Sequence, residues 1–261
     1  MANTTKAERK QQARGERLAR EQAQAEAERR RTRLIRVGAV LLLAVIAVAG
    51  AIALSSGSGG TTATVTSRQT AGTVDRLLAG IPQTGNTLGK KSAPVTVTLY
   101  EDLQCPICRE FTLGAENQLI ANDVRAGRVK LVFRSLQTAT PDPTTFQVQQ
   151  QAAAAAGKQQ KLWNFVELFY HQQGQEGTAY VTESYLDKLA RQVTGLNHAR
   201  WLADRNAGLG STVSADEALA KRSGFNSTPT IAVQGPKSSP QPVAGAASYS
   251  ELEQLVKQAG G

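Results

Sequence analysis

Two cysteines, Cys105 and Cys108, are the only ones in the 261 residues, and they are separated by two residues in Cys105-Pro106-Ile107-Cys108. That spacing restricts the chain more than any other feature. Two cysteines cannot form a multi-bridge framework or a four-cysteine zinc site. The two histidines, His171 and His198, are too far apart to complete a zinc finger. A bridge between Cys105 and Cys108 would close a very short ring and remove little chain entropy, so a purely structural staple is the weaker reading. A redox-active pair is the stronger one.

The setting of the pair supports this. Val95, Val97 and Leu99 alternate with Thr96 and Thr98, the period of a half-buried strand. Glu101, Asp102 and Leu103 lead from it into the cysteines, and a helical stretch with Phe111, Ala115 and Leu119 on one side follows, ending at Gly127. A Cys-x-x-Cys where a strand turns into a helix puts its first sulfur near unpaired N–H groups and the positive end of the helix dipole. Such placement lowers a thiol from about 8.5 to roughly 3.5–7.5. Cys105 is therefore expected to be the nucleophile, and Cys108, one turn later, the resolving residue. Pro106 suits the first helical turn, where its missing N–H is not needed.

Val129–Phe133 is a second strand candidate, giving a βαβ unit. A long helical region comes next. Ala152–Ala156 is a run of the best helix former. Leu162, Phe165, Val166 and Phe169 share helical spacing, as do Leu186, Leu189, Ala190 and Val193. These stripes are expected to be core. Asn197 is placed to cap a helix carrying Trp201, and a further helix runs to Lys221 and stops at Gly224. Strand character returns at Thr230–Val233, with Gln241–Ala244 as a hairpin partner. Ser248 followed by Glu251 forms a capping box for a last helix carrying Leu252, Leu255, Val256 and Ala259.

The first part of the chain differs in kind. Residues 1–36 hold 11 Lys/Arg and 5 Asp/Glu, most of the net charge of +9. The basicity belongs to a tail, so no nucleic-acid groove is implied. From Val37 to Leu54 there are 18 residues without a charge, close to the ~20 needed to cross a bilayer. A cleaved signal peptide is the rival, since small residues such as Ala49 and Ala51 could be cut, but its charged region is normally short. Arg29, Arg30, Arg31, Arg33 and Arg36 would hold the N-terminus in the cytoplasm. The expected organisation is a charged cytoplasmic tail (1–33), a single transmembrane anchor (34–54), a flexible Ser/Gly/Thr-rich linker (55–72) and an outer α/β domain (73–261) with a helical insertion at about 142–222. Disulfide chemistry fits an extracytoplasmic location.

With the strand, the Cys-Pro-Ile-Cys and a later Thr228-Pro229 in place, the chain resembles the DsbA-like thioredoxin-fold family, in its membrane-anchored Gram-positive form. The segments VTVTLYEDLQCPICREF and GFNSTPTIAVQG carry the likeness. The resemblance implies a thioredoxin-like fold, a redox disulfide in place of any metal or other cofactor, and a cis Pro229 after Thr228 facing the cysteines. Without it, Thr-Pro could equally begin an edge strand with a trans bond. It also implies oxidation of thiols in secreted or membrane proteins, with a membrane quinone-linked partner reoxidising the pair. A reductase or isomerase, and a tethered binding or chaperone module without redox chemistry, are the alternatives. Two positions depart from the family pattern. Ile107 stands where strong oxidants often carry His, which points to a milder oxidant. Leu99 stands where many relatives bury an acid. Glu101 or Asp102 could move protons instead, or be solvated loop charges.

Overall fold

The computed structural model describes residues 59–261, with side chains from residue 66 onward. The expected tail (1–33) and anchor (34–54) lie outside the described residues. Residues 64–261 form one compact unit, and the other unit, residues 1–63, falls almost wholly outside the described residues. Among the described residues, no helix is long and apolar enough to cross a membrane.

Six strands form one sheet: β1 (Gln83–Thr84), β2 (Thr87–Leu88), β3 (Val95–Glu101), β4 (Val129–Ser135), β5 (Thr230–Gly235) and β6 (Ser238–Ala244), in the order β1-β2-β4-β3-β5-β6. β3 and β4 are parallel, as a βαβ unit requires, and β5 runs antiparallel to β3. Val95, Val97, Leu99, Val129, Leu131, Phe133, Ile231 and Val233 are buried on this central strand trio.

Helix α1 (Gly59–Leu78) precedes the sheet. It corrects the flexible linker expected over 55–72 and the domain start at 73, because residues 59–72 are helical. Composition alone misleads here. Val74 and Leu78, four apart, are buried against the core, and Ala71 and Leu77 pack beside them. Burial of an apolar face outweighs low helix propensity. The hydroxyls of Thr70 and Thr73 donate to carbonyls one turn back, at 2.9 and 3.0 Å, and so do not compete with the helix.

Between β3 and β4 lies the helix α2. It starts as α-helix over Pro106–Phe111, passes through π-helical turns at Thr112–Glu116 and Ile120–Val124, and ends before Gly127 at φ +83°. Phe111 and Leu119 are buried and Ala115 packs against the core as their spacing predicts, and the polar Thr112 and Glu116 are buried beside them. π-Turns of this kind are frequent at functional sites.

The helical insertion comprises α3 (Pro143–Gly157), α4 (Leu162–His171), α5 (Glu183–Gln192), α6 (His198–Asn206) and α7 (Gly210–Arg222). Its starts follow local chemistry. Asp142 caps α3, Thr182 caps α5 and Asn197 caps α6 through side-chain oxygens. After β6, α8 (Tyr249–Ala259) opens on the Ser248–Glu251 capping box and closes on Gly260 at φ +101°.

Trp201 ties α6 to α3. It is fully buried, its indole N–H donates to the Ala152 carbonyl at 2.8 Å, and the Arg205 guanidinium lies 4.8 Å from its ring centre. Trp201→Ala is expected to cost about 3–5 kcal/mol in urea unfolding. An unchanged midpoint would show that the insertion does not depend on this contact.

Candidate active site

The antiparallel register of β3 and β5 builds the site. Tyr100 pairs with Thr230, so the C-terminal end of β3 lies beside the start of β5. The cysteines follow β3 by a short turn, and Thr228-Pro229 immediately precedes β5. The Thr228–Pro229 peptide bond is cis, as the family resemblance implies.

Cys105 is the N-cap of α2. Its backbone is extended (φ −72°, ψ 120°), and its Sγ accepts the backbone N–H of Cys108 at 3.3 Å. A sulfur thus fills the place usually taken by a Ser or Asp oxygen. Cys105 Sγ also lies 3.4 Å from the Thr228 carbonyl, which accepts from the thiol form. Hydrogen bonds from the side chains of Cys108, then Thr228, and from the Cys108 and Ile107 backbone lower the Cys105 thiol to about 6, against the opposing pull of burial. Cys108 lies fully inside the protein, and burial followed by the Cys105 contact pushes its thiol well above the ordinary range. The two sulfurs are therefore unequal, and both are free thiols in this structure.

The surroundings hold this geometry. Gln173, just past α4, donates from its side chain to the carbonyls of Leu103 at 2.8 Å and Cys105 at 3.1 Å. Arg109 Nε donates to the Tyr170 carbonyl at 3.0 Å. Pro106 occupies the first turn of α2. Ile107 is 46% exposed, an apolar side chain on the surface beside the reactive pair.

Glu101 and Asp102 are not solvated loop charges, since both are buried. Their environments differ. Glu101 Oε2 accepts the Tyr170 hydroxyl at 3.0 Å. Burial, then the neighbouring Glu116, raises its carboxyl well above the usual range. Two further buried acids stand near it. Glu116 Oε2 accepts the Thr112 hydroxyl at 2.8 Å, and burial raises its carboxyl to about 7. Glu167 on α4 is raised well above the usual range by burial and by Glu116. The charges acting on Glu101 are those of Glu116, Cys105 and Glu167, with no cation among them, and all of them add to burial in raising the carboxyl. Asp102, in contrast, faces donors only. Gln104, Thr138, Ala139 and Thr140 donate backbone N–H groups to it, and the Thr140 hydroxyl and Gln149 side chain add two more bonds.

Glu116 and Glu167 were not singled out from the sequence. A signal existed for Glu167, an acid inside the apolar run Leu162–Tyr170. Glu116 shares helical spacing with Cys108, Thr112 and Leu119, all buried, so its burial was signalled only by its place on that face. Among the described residues, no cluster of His, Cys, Asp and Glu could hold a metal ion.

A fold with this sheet order, an acidified cysteine at the start of α2 and a cis proline beside it defines a DsbA-like protein of the thioredoxin class. The family model described as thioredoxin matches residues 82–258, and the chain belongs to that family. It is 24% identical over 180 residues to disulfide bond formation protein D of Bacillus subtilis, covering 66% of this chain and 75% of that protein. The crystal structure of oxidised BdbD from Bacillus subtilis matches with a TM-score of 0.59 at 23% identity, over 70% of this chain and 97% of that one, a likeness of fold. The chain is also 29% identical over 164 residues to the Na(+)/H(+) antiporter NhaA 1 of Salinispora arenicola, covering 63% of this chain. It spans only 24% of that antiporter's length. The transport named there does not carry over on such a fragment.

The unequal thiols give a direct test. Alkylation of the reduced protein is expected to occur at Cys105 alone, with a rate that rises through pH 6 and levels off above it. A rate still climbing at pH 8 to 9 would show that Cys105 ionises as a free thiol does.

Proposed function

We propose that this chain is an extracytoplasmic protein thiol–disulfide oxidoreductase that oxidises dithiols of secreted or membrane proteins through the Cys105–Cys108 pair. The observation that carries this reading is the asymmetry of the sulfurs: Cys105 capped and lowered to about 6, Cys108 buried and raised. Relatives named for disulfide bond formation support it.

The chemistry runs from the oxidised pair. A client thiolate attacks Cys105 Sγ and displaces Cys108 from the disulfide. The departing Cys108 sulfur is a poor anion in its buried position and takes a proton. Glu101, whose carboxyl is raised by burial and by Glu116 and which lies near enough to influence Cys108, is the group we assign to supply it. The second client thiolate then attacks the client sulfur of the mixed disulfide, and Cys105 leaves as a thiolate, the better leaving group of the two. The client gains a disulfide and the pair ends as a dithiol. Returning it to the disulfide releases two electrons and two protons, and a membrane quinone-linked partner is the acceptor that the family resemblance supports. Exposed Ile107 gives a client an apolar contact beside the sulfur.

We place the domain outside the cytoplasm on a single-pass anchor at residues 34–54. The support is the uncharged run Val37–Leu54 with its arginine-rich cytoplasmic flank, together with the redox compartment that disulfide formation needs.

The reduction potential separates an oxidase from a reductase. A value between that of thioredoxin, about −270 mV, and that of the strongest oxidants, about −120 mV, and clearly above the midpoint of the two, is expected. A value at the thioredoxin end would reverse the direction of electron flow. Glu101→Gln keeps the hydrogen bond to Tyr170 but has no proton to give. It is expected to slow mixed-disulfide formation with a reduced client on the order of a hundredfold, in stopped-flow measurements at pH 7. Equal rates in the variant and the parent protein would remove Glu101 from the proton path.

A further inference from the structure

Asp102 is the most heavily hydrogen-bonded side chain near the cysteines, yet it does not touch them. Its carboxylate is completely buried, at the turn between β3 and Cys105. Oδ2 accepts three successive backbone N–H groups, from Thr138 at 3.0 Å, Ala139 at 2.9 Å and Thr140 at 2.8 Å. Oδ1 accepts the Gln104 N–H at 3.0 Å, the Thr140 hydroxyl at 2.5 Å and the Gln149 side-chain amide at 3.2 Å. Gln149 in turn donates to the Thr140 hydroxyl at 2.9 Å and accepts from Gln104 at 3.1 Å. All six partners of Asp102 are donors. This all-donor surround sets it apart from Glu101, whose Oε1 has no hydrogen-bond partner.

The loop it grips follows β4 and leads to α3. On one side, the exposed Thr138 hydroxyl meets the Thr228 hydroxyl. Thr228 is the residue before the cis proline, and its carbonyl lies 3.4 Å from Cys105 Sγ. On the other side, Thr140, Pro141, Asp142 and Thr145 line a groove of about 230 Å³ together with Gln104, the neighbour of Cys105. One carboxylate thus fixes a loop that touches the proline loop at one end and borders the sulfur's own turn at the other. Burying an anion is costly unless it is fully paired, and a simple turn would not require one.

We propose that Asp102 is a positioning residue for client recognition: it latches residues 138–140 against Thr228, so that a polypeptide lying across Cys105 meets two fixed walls. The proposal rests on the oxidoreductase reading and adds to it how the protein favours a polypeptide over a small thiol. Without the carboxylate, three inward N–H groups lose their acceptor, the loop must turn to find others, and Thr138 leaves Thr228. Misplacing a wall by about 1 Å is enough to cost a large factor in rate for a substrate that uses it. Glutathione, which needs only the sulfur, is affected far less.

The test compares Asp102→Ala with the unaltered full chain in two assays, oxidation of a reduced unfolded protein with two thiols and exchange with glutathione. The expected result is a KM for the protein client raised about tenfold, with kcat and glutathione exchange moved by much less. Asp102→Asn has the same shape but points an amide N–H at donors, so it is expected to behave like the alanine variant. Thr138→Val removes only the surface contact to Thr228, threatens nothing buried, and is expected to raise the client KM in the same direction by a smaller factor. It decides the matter if the Asp102 variants do not fold. Parallel loss of both activities, an unchanged client KM, or full rescue by Asn would each overturn the proposal. If the unaltered chain performs neither reaction, the oxidoreductase reading itself falls, a result distinct from these.

Discussion

Where β3 gives way to α2, the chain must satisfy a backbone N–H that every helix leaves unpaired at its start, and the atom it offers is a sulfur. Cys105 Sγ takes the Cys108 N–H at 3.3 Å, in the place of a capping oxygen. The bond is stronger to a thiolate than to a thiol, so the local need of the helix becomes a bias on the ionisation of one cysteine. The same turn carries Cys108 one helical step inward, where burial has the opposite effect. Much of the surrounding structure serves to hold that sulfur still. Gln173 clamps the carbonyls of the turn, and the β3–β5 register delivers the Thr228–Pro229 loop to its other side.

Below the cysteines the protein accepts a cost. Glu101, Glu116 and Glu167 are all buried, and one oxygen of each has no hydrogen-bond partner. Groups so placed destabilise a fold unless they remain neutral. All three carboxyls are shifted upward, by burial first and, for Glu101 and Glu167, by the neighbouring Glu116, which favours their neutral forms. A protein optimised for stability alone would place apolar side chains here. Residues that break a packing rule in this way are expected at functional sites. Asp102 shows the complementary solution, a buried carboxylate supplied with six donors.

The parts of the fold that could be seen in the sequence are those set by short-range rules. The alternation from Val95 to Leu99 marked β3, Asn197 and Ser248 marked two helix starts, and Gly127, Gly224 and Gly260 stand at positive φ just beyond helix ends. Helix α1 was not visible, because its first half is rich in Gly and Thr and its stability comes from Val74 and Leu78 meeting the core. The hairpin β1–β2 was also missed. Its strands have two residues each, too few for any period, and they exist because β2 pairs with β4.

The cysteine spacing, the strand before it and Pro106 after the first sulfur are written in adjacent residues, so the sequence by itself determined that a redox pair begins a helix. It could not say which acids serve the pair. Glu101 and Asp102 are neighbours of the same chemical type, yet one is raised by burial, Glu116 and Glu167 while bonded to Tyr170, and the other is ringed by donors from residues 138–140 and 149. Those partners lie 15 to 69 positions away in the chain. A carboxyl group's behaviour depends on dielectric and on neighbours within a few ångströms, and only the tertiary structure decides who those neighbours are.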